Sequence, residues 1–212
     1  MRAFTLICLP VLLWLAGCES TYYAAMEKVG LEKRDILVDR VEDARDAQED
    51  AQEQFTTALE RYSALIDFDG GELQAVYDDL NDEYEDSEAA AERVRGRIDA
   101  IEDVAGDLCD EWEDELAQYS SASLRRDSEA KLRETRRRYE QLISAMRRAE
   151  THMDPVLDAL RDNVLYLKHN LNASAIGALQ GELGSIRADV DRLVAEMNTA
   201  IEESNAFLAT LE

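Results

Sequence analysis

Apolar residues recur along most of this chain at alternating steps of four and three, which places them on one face of an α-helix. Breaks in the pattern separate four such runs, so the spacing predicts four long helices, each with one apolar stripe. The first stripe comprises Leu37, Val41, Ala44, Gln48, Ala51, Phe55, Ala58, Tyr62 and Leu65. Only Gln48 interrupts its apolar character.

The other three runs carry similar stripes, and the third shifts by an extra residue at Val164. The second comprises Leu73, Tyr77, Leu80, Tyr84, Ser87, Ala91, Val94, Ile98, Ile101, Ala105, Leu108 and Trp112. The third comprises Leu132, Thr135, Tyr139, Leu142, Met146, Ala149, Met153, Val156, Leu160, Val164, Leu167 and Leu171. The fourth comprises Ile176, Leu179, Leu183, Ile186, Val190, Leu193, Met197, Ala200 and Phe207. Together they predict an all-α fold, an elongated antiparallel bundle of about four long helices with coiled-coil (heptad) packing.

Turn-forming residues mark the three reversals of this bundle. Gly70 and Gly71 end the first helix, the serines of residues 120–123 break and cap the chain before the third, and residues 170–174 precede the fourth. Pro155 lies inside the third run, where it removes a backbone hydrogen bond. We expect a kink there, and the alternative is a fresh helix start with Asp154 as N-cap.

Three glycines lie on one face of the fourth predicted helix: Gly177, Gly181 and Gly184. Each lowers helix propensity but allows another backbone to approach closely. Either the helix merely tolerates them, or they form a candidate contact surface for a partner.

The first 18 residues have the order of a secretory signal, with Arg2, an apolar run to Trp14 and then small residues. The run is too short to span a bilayer. Leu15-Ala16-Gly17-Cys18 resembles a bacterial lipobox, which implies cleavage before Cys18 and acylation of its thiol. We therefore predict a lipoprotein signal peptide over residues 1–17, a lipid-anchored tether over 18–31 and a helical domain over 32–212. The alternative is an ordinary signal that releases a soluble periplasmic protein.

The net charge limits the kinds of partner that the protein can bind. The chain has 47 Asp and Glu against 23 Lys and Arg, a net charge of −24, and removal of Arg2 with the signal makes it −25. Such a surface repels nucleic acid and anionic headgroups, so we expect no nucleic-acid partner and a membrane attachment through lipid at Cys18 alone. Glu19, where inner-membrane retention signals have aspartate, favours an envelope location at the outer membrane.

Charge is unevenly distributed between the second and third helices. Residues 72–116 carry a large acidic excess, whereas residues 125–148 carry a basic one. Antiparallel packing would place the two excesses side by side and set the register of the pair. The functional alternative is that Arg133, Arg136, Arg137 and Arg138 form a contact site for an anionic lipid or cell-wall polymer.

Residue patterns that support catalysis are missing. The sequence has no nucleophile elbow, no zinc-type His and acid spacing and no glycine-rich phosphate loop. Hence we expect no enzyme activity, no catalytic residues, no metal and no cofactor. Cys109, the one cysteine left after cleavage and acylation, follows Leu108 on the apolar stripe and is expected to be a small buried thiol. The alternative is an intermolecular disulfide.

Four segments resemble a bacterial family catalogued as domain of unknown function 2959: residues 33–41, 68–73, 123–127 and 167–173. The resemblance covers about residues 27 to 210. It implies a helical, coiled-coil envelope lipoprotein and carries no assigned activity, so it transfers no functional residue.

These inferences lead to a non-enzymatic envelope lipoprotein that acts as a periplasmic scaffold or adaptor for an envelope protein. The alternative is a binding module for anionic lipid or cell-wall polymer through the Arg-rich start of the third helix. The sequence leaves the oligomeric state open, and a homo-oligomer is one alternative, because a heptad stripe can pack within one chain or between chains.

Overall fold

A computed structural model describes residues 32–66, 73–170 and 172–211 of the chain. These residues form four helices, which we label in chain order. They are α1 (Lys33–Ile66), α2 (Leu73–Leu116), α3 (Ala122–His169) and α4 (Ala173–Leu211). The longest, α3, has 48 residues and therefore measures about 72 Å at 1.5 Å per residue.

The four helices pack side by side, and each contacts the next along the chain while α4 returns to α1. Contacts between neighbours show that consecutive helices run antiparallel. Near the start of α1, Asp43 lies 3.0 Å from Arg97 in the second half of α2. Arg61, near the end of α1, lies 3.6 Å from Glu83 in the first part of α2, so the two helices run in opposite directions. The fold is thus an antiparallel four-helix bundle, as the stripes predicted.

Residues of the predicted stripes fill the interior of the bundle. All nine positions of the first stripe are buried, including Gln48. The second stripe is buried from Ser87 to Ala105, but Leu108 and Trp112 beyond it are only partly covered. The predicted inward faces are confirmed over the middle of the bundle, whereas coiled-coil packing of the heptad type stays a prediction. Of the predicted turn residues, Gly70, Gly71 and Leu171 lie outside the described residues.

A serine cap starts α3, as expected for the break at residues 120–123. The Ser121 hydroxyl accepts a hydrogen bond from the Leu124 amide at 3.4 Å. Because the first amides of a helix have no partner within it, this bond helps to fix the start of α3 at Ala122.

Pro155 lies within α3 without dividing it. The alternative of a new helix capped by Asp154 is therefore wrong. Met153 and Val156, on either side of the proline, are fully buried. Their packing holds the helix together although Pro155 cannot donate a backbone hydrogen bond. Arg95 of α2 donates to the Asp154 carboxylate at 2.5 Å, so that side chain joins α2 to α3 instead of capping a helix. The kink stays a prediction.

One buried polar cluster joins three helices. The Tyr62 hydroxyl of α1 lies 3.0 Å from Oδ1 of Asn163 in α3 and 2.9 Å from the Leu179 carbonyl oxygen in α4, and its single proton is shared between these acceptors. The Asn163 amide donates in turn to the Ala159 carbonyl at 2.7 Å. Burial and the nearby charge of Glu182 raise the pKa of the Tyr62 hydroxyl, so it stays a donor.

Gln48 is the polar exception within the first stripe, and it is completely buried. Within the described part of the chain, neither its amide nitrogen nor its amide oxygen reaches a hydrogen-bond partner. An unpaired buried amide costs about 1 to 3 kcal/mol of stability, because the group has lost its hydrogen bonds to water.

Replacing Gln48 with methionine should stabilise the bundle. Methionine has a similar length and no polar group to desolvate, so we expect the free energy of unfolding to rise by about 1 to 2 kcal/mol. Chemical denaturation followed by circular dichroism measures the change. The matched control is Gln141→Met on the exposed face of α3, which should change stability by less than about 0.5 kcal/mol. Lower stability of Gln48→Met would show that the amide has a partner.

Candidate functional site

The predicted lipidation residue, Cys18, lies outside the described residues, as do the whole predicted signal peptide and tether. Over residues 32–66, 73–170 and 172–211, none of the helices is apolar enough over a sufficient length to cross a bilayer. Candidate sites in the described part are therefore the charged surface of α3, the glycines of α4 and any cavity between helices.

The acidic and basic excesses of α2 and α3 do meet at their interface. The Arg147 guanidinium of α3 contacts Asp99 at 2.6 Å and Glu102 at 2.5 Å, both on α2, and Glu150 at 2.8 Å on its own helix. These carboxylates, Glu102 foremost, raise the pKa of Arg147 further above its ordinary value. The network fixes the register of the hairpin, because a shift along either helix would separate the charges.

The arginine cluster, defined as Arg133, Arg136, Arg137 and Arg138, is largely engaged within the bundle. Arg136 donates to Glu113 of α2 at 2.5 Å, and this bond lowers the pKa of the Glu113 carboxyl. On α3 itself, the Glu134 carboxylate accepts from Arg137 and, at 2.7 Å, from Arg138. Both arginines lower the pKa of Glu134. Arg133 is exposed on the surface. The four arginines thus share one helix segment, but three of them already have carboxylate partners.

Cys109 is partly exposed, which corrects the expectation of a buried thiol. Its side chain lies beside the Arg136 guanidinium, whose pKa is raised mainly by Glu113 and to a smaller extent by Cys109. The physical reason is position along the bundle. Stripe residues beyond Ala105 approach the end where α1 begins, so fewer neighbouring helices cover them.

A cavity of about 750 Å³ opens at this same end of the bundle. We call it the end cavity. Leu108 and Trp112 of α2, Thr135 of α3 and Leu211 of α4 line it, together with the first residues of α1. The Trp112 indole donates to the Ser128 hydroxyl at 2.7 Å, which holds the ring between α2 and α3. The sequence analysis placed Trp112 on a stripe but missed the cavity.

Charged side chains of both signs surround the end cavity. Lys33 pairs with Glu111 at 3.1 Å, and Arg138, already paired with Glu134, also lines the wall. The acidic and basic side chains among the lining residues are equal in number. This balance is unlike the strongly acidic chain as a whole.

The glycine face, defined as Gly177, Gly181 and Gly184, points away from the rest of the bundle. All three residues are exposed, and a Cβ atom added at any of them would have no neighbour within 4 Å among the described residues. Within the described helices, therefore, none makes the close contact with this face that glycine would permit. A role in contacting a partner stays a prediction.

Groups that could hold a metal ion are absent from the described residues. Among these residues, no three His, Cys, Asp or Glu side chains converge closely enough to bind a metal. His152 is partly exposed and His169 is exposed, on the same helix.

The packing and the surfaces together define an all-α protein, an antiparallel four-helix bundle with a cavity at the end where α1 begins. The chain belongs to the family described as Protein of unknown function (DUF2959), whose match spans residues 22–211. The family predicted from the sequence is thereby confirmed, while the lipoprotein character that the resemblance implies stays a prediction. No curated protein matches the chain.

The open space around the glycine face predicts the effect of a methyl group there. Gly181→Ala should raise the free energy of unfolding by about 0.5 to 1 kcal/mol, because alanine stiffens the unfolded chain and favours helix without a clash. The matched control is Ala178→Gly on the exposed surface of α4, which should lower it by a similar amount. Thermal and chemical denaturation measure both. Destabilisation by Gly181→Ala would reveal a close neighbour of this face.

Proposed function

We propose that this protein is a non-enzymatic lipoprotein of the bacterial cell envelope, anchored through Cys18, that acts as a scaffold or adaptor for an envelope protein. The lipobox-like Leu15-Ala16-Gly17-Cys18 supports the anchor. The bundle supports a scaffold role, because its four helices pack their apolar faces against one another and expose a long charged surface. An outer-membrane location is part of the proposal, on the grounds of Glu19.

The direction of α1 determines which end of the bundle would face the membrane. The tether would join α1 at Glu32, so the end cavity would lie near the lipid. The end of α1 at Ile66 lies about 50 Å away, at 1.5 Å per residue over its 34 residues. We call this the far end. The bundle would hold the far end well away from the membrane surface.

Exposed apolar side chains near the far end carry the adaptor proposal. Leu165 is 50% exposed and Tyr166 is 41% exposed, both close to the end of α3. Tyrosine is enriched at the centres of protein interfaces because it combines a large contact area with a polar group. We assign these two residues to contact with a protein partner.

Binding of anionic lipid or cell-wall polymer through the arginine cluster is our second candidate. Exposed Arg133 favours it. The pairs that Arg136, Arg137 and Arg138 make with Glu113 and Glu134 weigh against it, since an anion would have to displace those carboxylates.

Replacing Cys18 tests the anchor. In cells fed an alkyne fatty acid, the wild-type protein should carry the label and enter the detergent phase on phase separation. Cys18→Ser should lose the label and leave that phase, because several acyl chains supply far more membrane affinity than the chain itself. Cys109→Ser is the matched control and should behave as wild type. Labelled Cys18→Ser would refute the anchor.

Site-specific photocrosslinking in intact cells tests the adaptor against the second candidate. A photoreactive amino acid at position 166 should give one reproducible protein adduct, whereas the same group at position 133 should give none. An adduct at position 133 that contains lipid or polymer, with none at 166, would favour the second candidate. If neither position gave an adduct, both candidate functions would be contradicted.

A further inference from the structure

The first half of α4, residues 173–186, differs from the rest of that helix in its glycine content. Gly177, Gly181 and Gly184 all lie in it, whereas the second half, residues 187–211, has no glycine. Each glycine makes helix formation about fourfold to fivefold less favourable than alanine would, because its backbone has more freedom to lose. The space beside all three is open among the described residues, so close packing does not compensate for that loss. We call residues 173–186 the cover.

Ion pairs involve the second half of α4 and not the cover. Among the described residues, the side chains of α4 that form ion pairs are Asp189, Arg192 and Glu196, all beyond residue 186. The cover has one ionisable side chain, Glu182, which is exposed. Apolar contacts and hydrogen bonds therefore hold the cover against its neighbours, without help from the charge networks that join the other helices.

Two hydrogen bonds connect the cover with α1. The Gln180 side chain donates to the Ile66 carbonyl at 3.3 Å. The Tyr62 hydroxyl lies 2.9 Å from the Leu179 carbonyl oxygen, but it has a second acceptor in Asn163 of α3, at 3.0 Å. Because the hydroxyl has one proton, Asn163 can accept it when the cover moves away. Departure of the cover therefore leaves the Tyr62 hydroxyl with a partner.

We propose that the cover opens by local unfolding while the rest of the bundle stays folded, and that this opening exposes the Tyr62 hydroxyl and the Asn163 side chain. Apolar burial opposes the opening, because Ile176, Leu179 and Ile186 of the cover are buried in the closed state. The open state is therefore a minor population, as is typical of segments that unfold independently of the remaining core.

The exposed groups would lie beside the surface that we assign to a protein partner. Asn163 precedes Tyr166 on α3 by less than one helical turn. A phenol hydroxyl and a carboxamide can both donate to and accept from a polypeptide, so opening would add hydrogen-bonding groups to that surface. This consequence rests on the adaptor proposal, whereas the opening itself needs neither a partner nor the lipid anchor.

Hydrogen exchange of the full chain, without a partner, tests the opening. The double variant Gly181→Ala with Gly184→Ala should favour the closed cover, because alanine favours helix at these exposed positions. The matched control is Ala195→Gly on the exposed surface of the second half of α4. It should destabilise the bundle outside the cover. Peptides within residues 173–186 are compared with peptides within residues 190–207.

Nitration by tetranitromethane measures access to the tyrosine beneath the cover. Tyr62 is fully buried in the closed state, so its ring reacts only after opening. Tyr166, which is 41% exposed, is the reference. Initial rates at both residues are followed by mass spectrometry of the nitrated peptides in all three proteins.

In the parent protein, the cover should exchange at least about tenfold faster than residues 190–207. The alanine double variant should slow cover exchange and Tyr62 nitration by about tenfold, and Tyr166 nitration should not change. Ala195→Gly should speed exchange in residues 190–207 and leave both the cover and Tyr62 as in the parent protein.

Three results would overturn the proposal. If Ala195→Gly speeds exchange of the cover as much as that of residues 190–207, the cover opens only when the whole bundle unfolds. If the alanine double variant leaves cover exchange unchanged, the glycines do not control the opening. If it slows cover exchange but not Tyr62 nitration, the opening does not expose Tyr62. Since no partner is present, none of these results bears on the adaptor proposal, which the crosslinking tests.

Discussion

Each helix of this protein can remove its apolar stripe from water only by packing against the stripes of the other three. A single amphipathic helix of this length has little stability in water on its own. Most of the stability of a helix in a folded protein comes from burial of its apolar face. All nine positions of the first stripe lie inside the bundle because three other stripes meet them there. The side-by-side packing of the helices and the placement of charge on their outer faces follow from this shared burial.

Polar groups inside the bundle add what apolar packing lacks, a preference for one register. Non-directional contacts among leucine and alanine side chains select one alignment only weakly, whereas the Tyr62 hydroxyl meets Asn163 and the Leu179 carbonyl at only one alignment of three helices. The Arg147 network does the same for α2 and α3 from outside. Gln48 has the opposite effect, because an amide without a partner lowers stability and selects no alignment.

Local pattern predicts the inward face of each helix, because spacing alone decides which side chains share a face. It does not predict how many neighbours cover that face at a given level. Leu108, Cys109 and Trp112 were therefore expected inside and are partly exposed, since α1 begins beside them. Asn163 escaped notice for a related reason: its partner Tyr62 is 101 residues away, and only the packed bundle brings them together. The end cavity depends likewise on unequal helix ends that the stripes do not mark.

An even number of antiparallel helices brings the chain back to the end from which it started, so Glu32 and Leu211 both lie beside the end cavity. This arrangement makes resistance to force depend on direction. A pull between these two points would peel α4 from α1 one turn at a time. A pull between Glu32 and the far end would act along the helices, where whole apolar stripes must slide together before any contact breaks. We therefore expect the bundle to resist a pull along its axis better than a pull across its base.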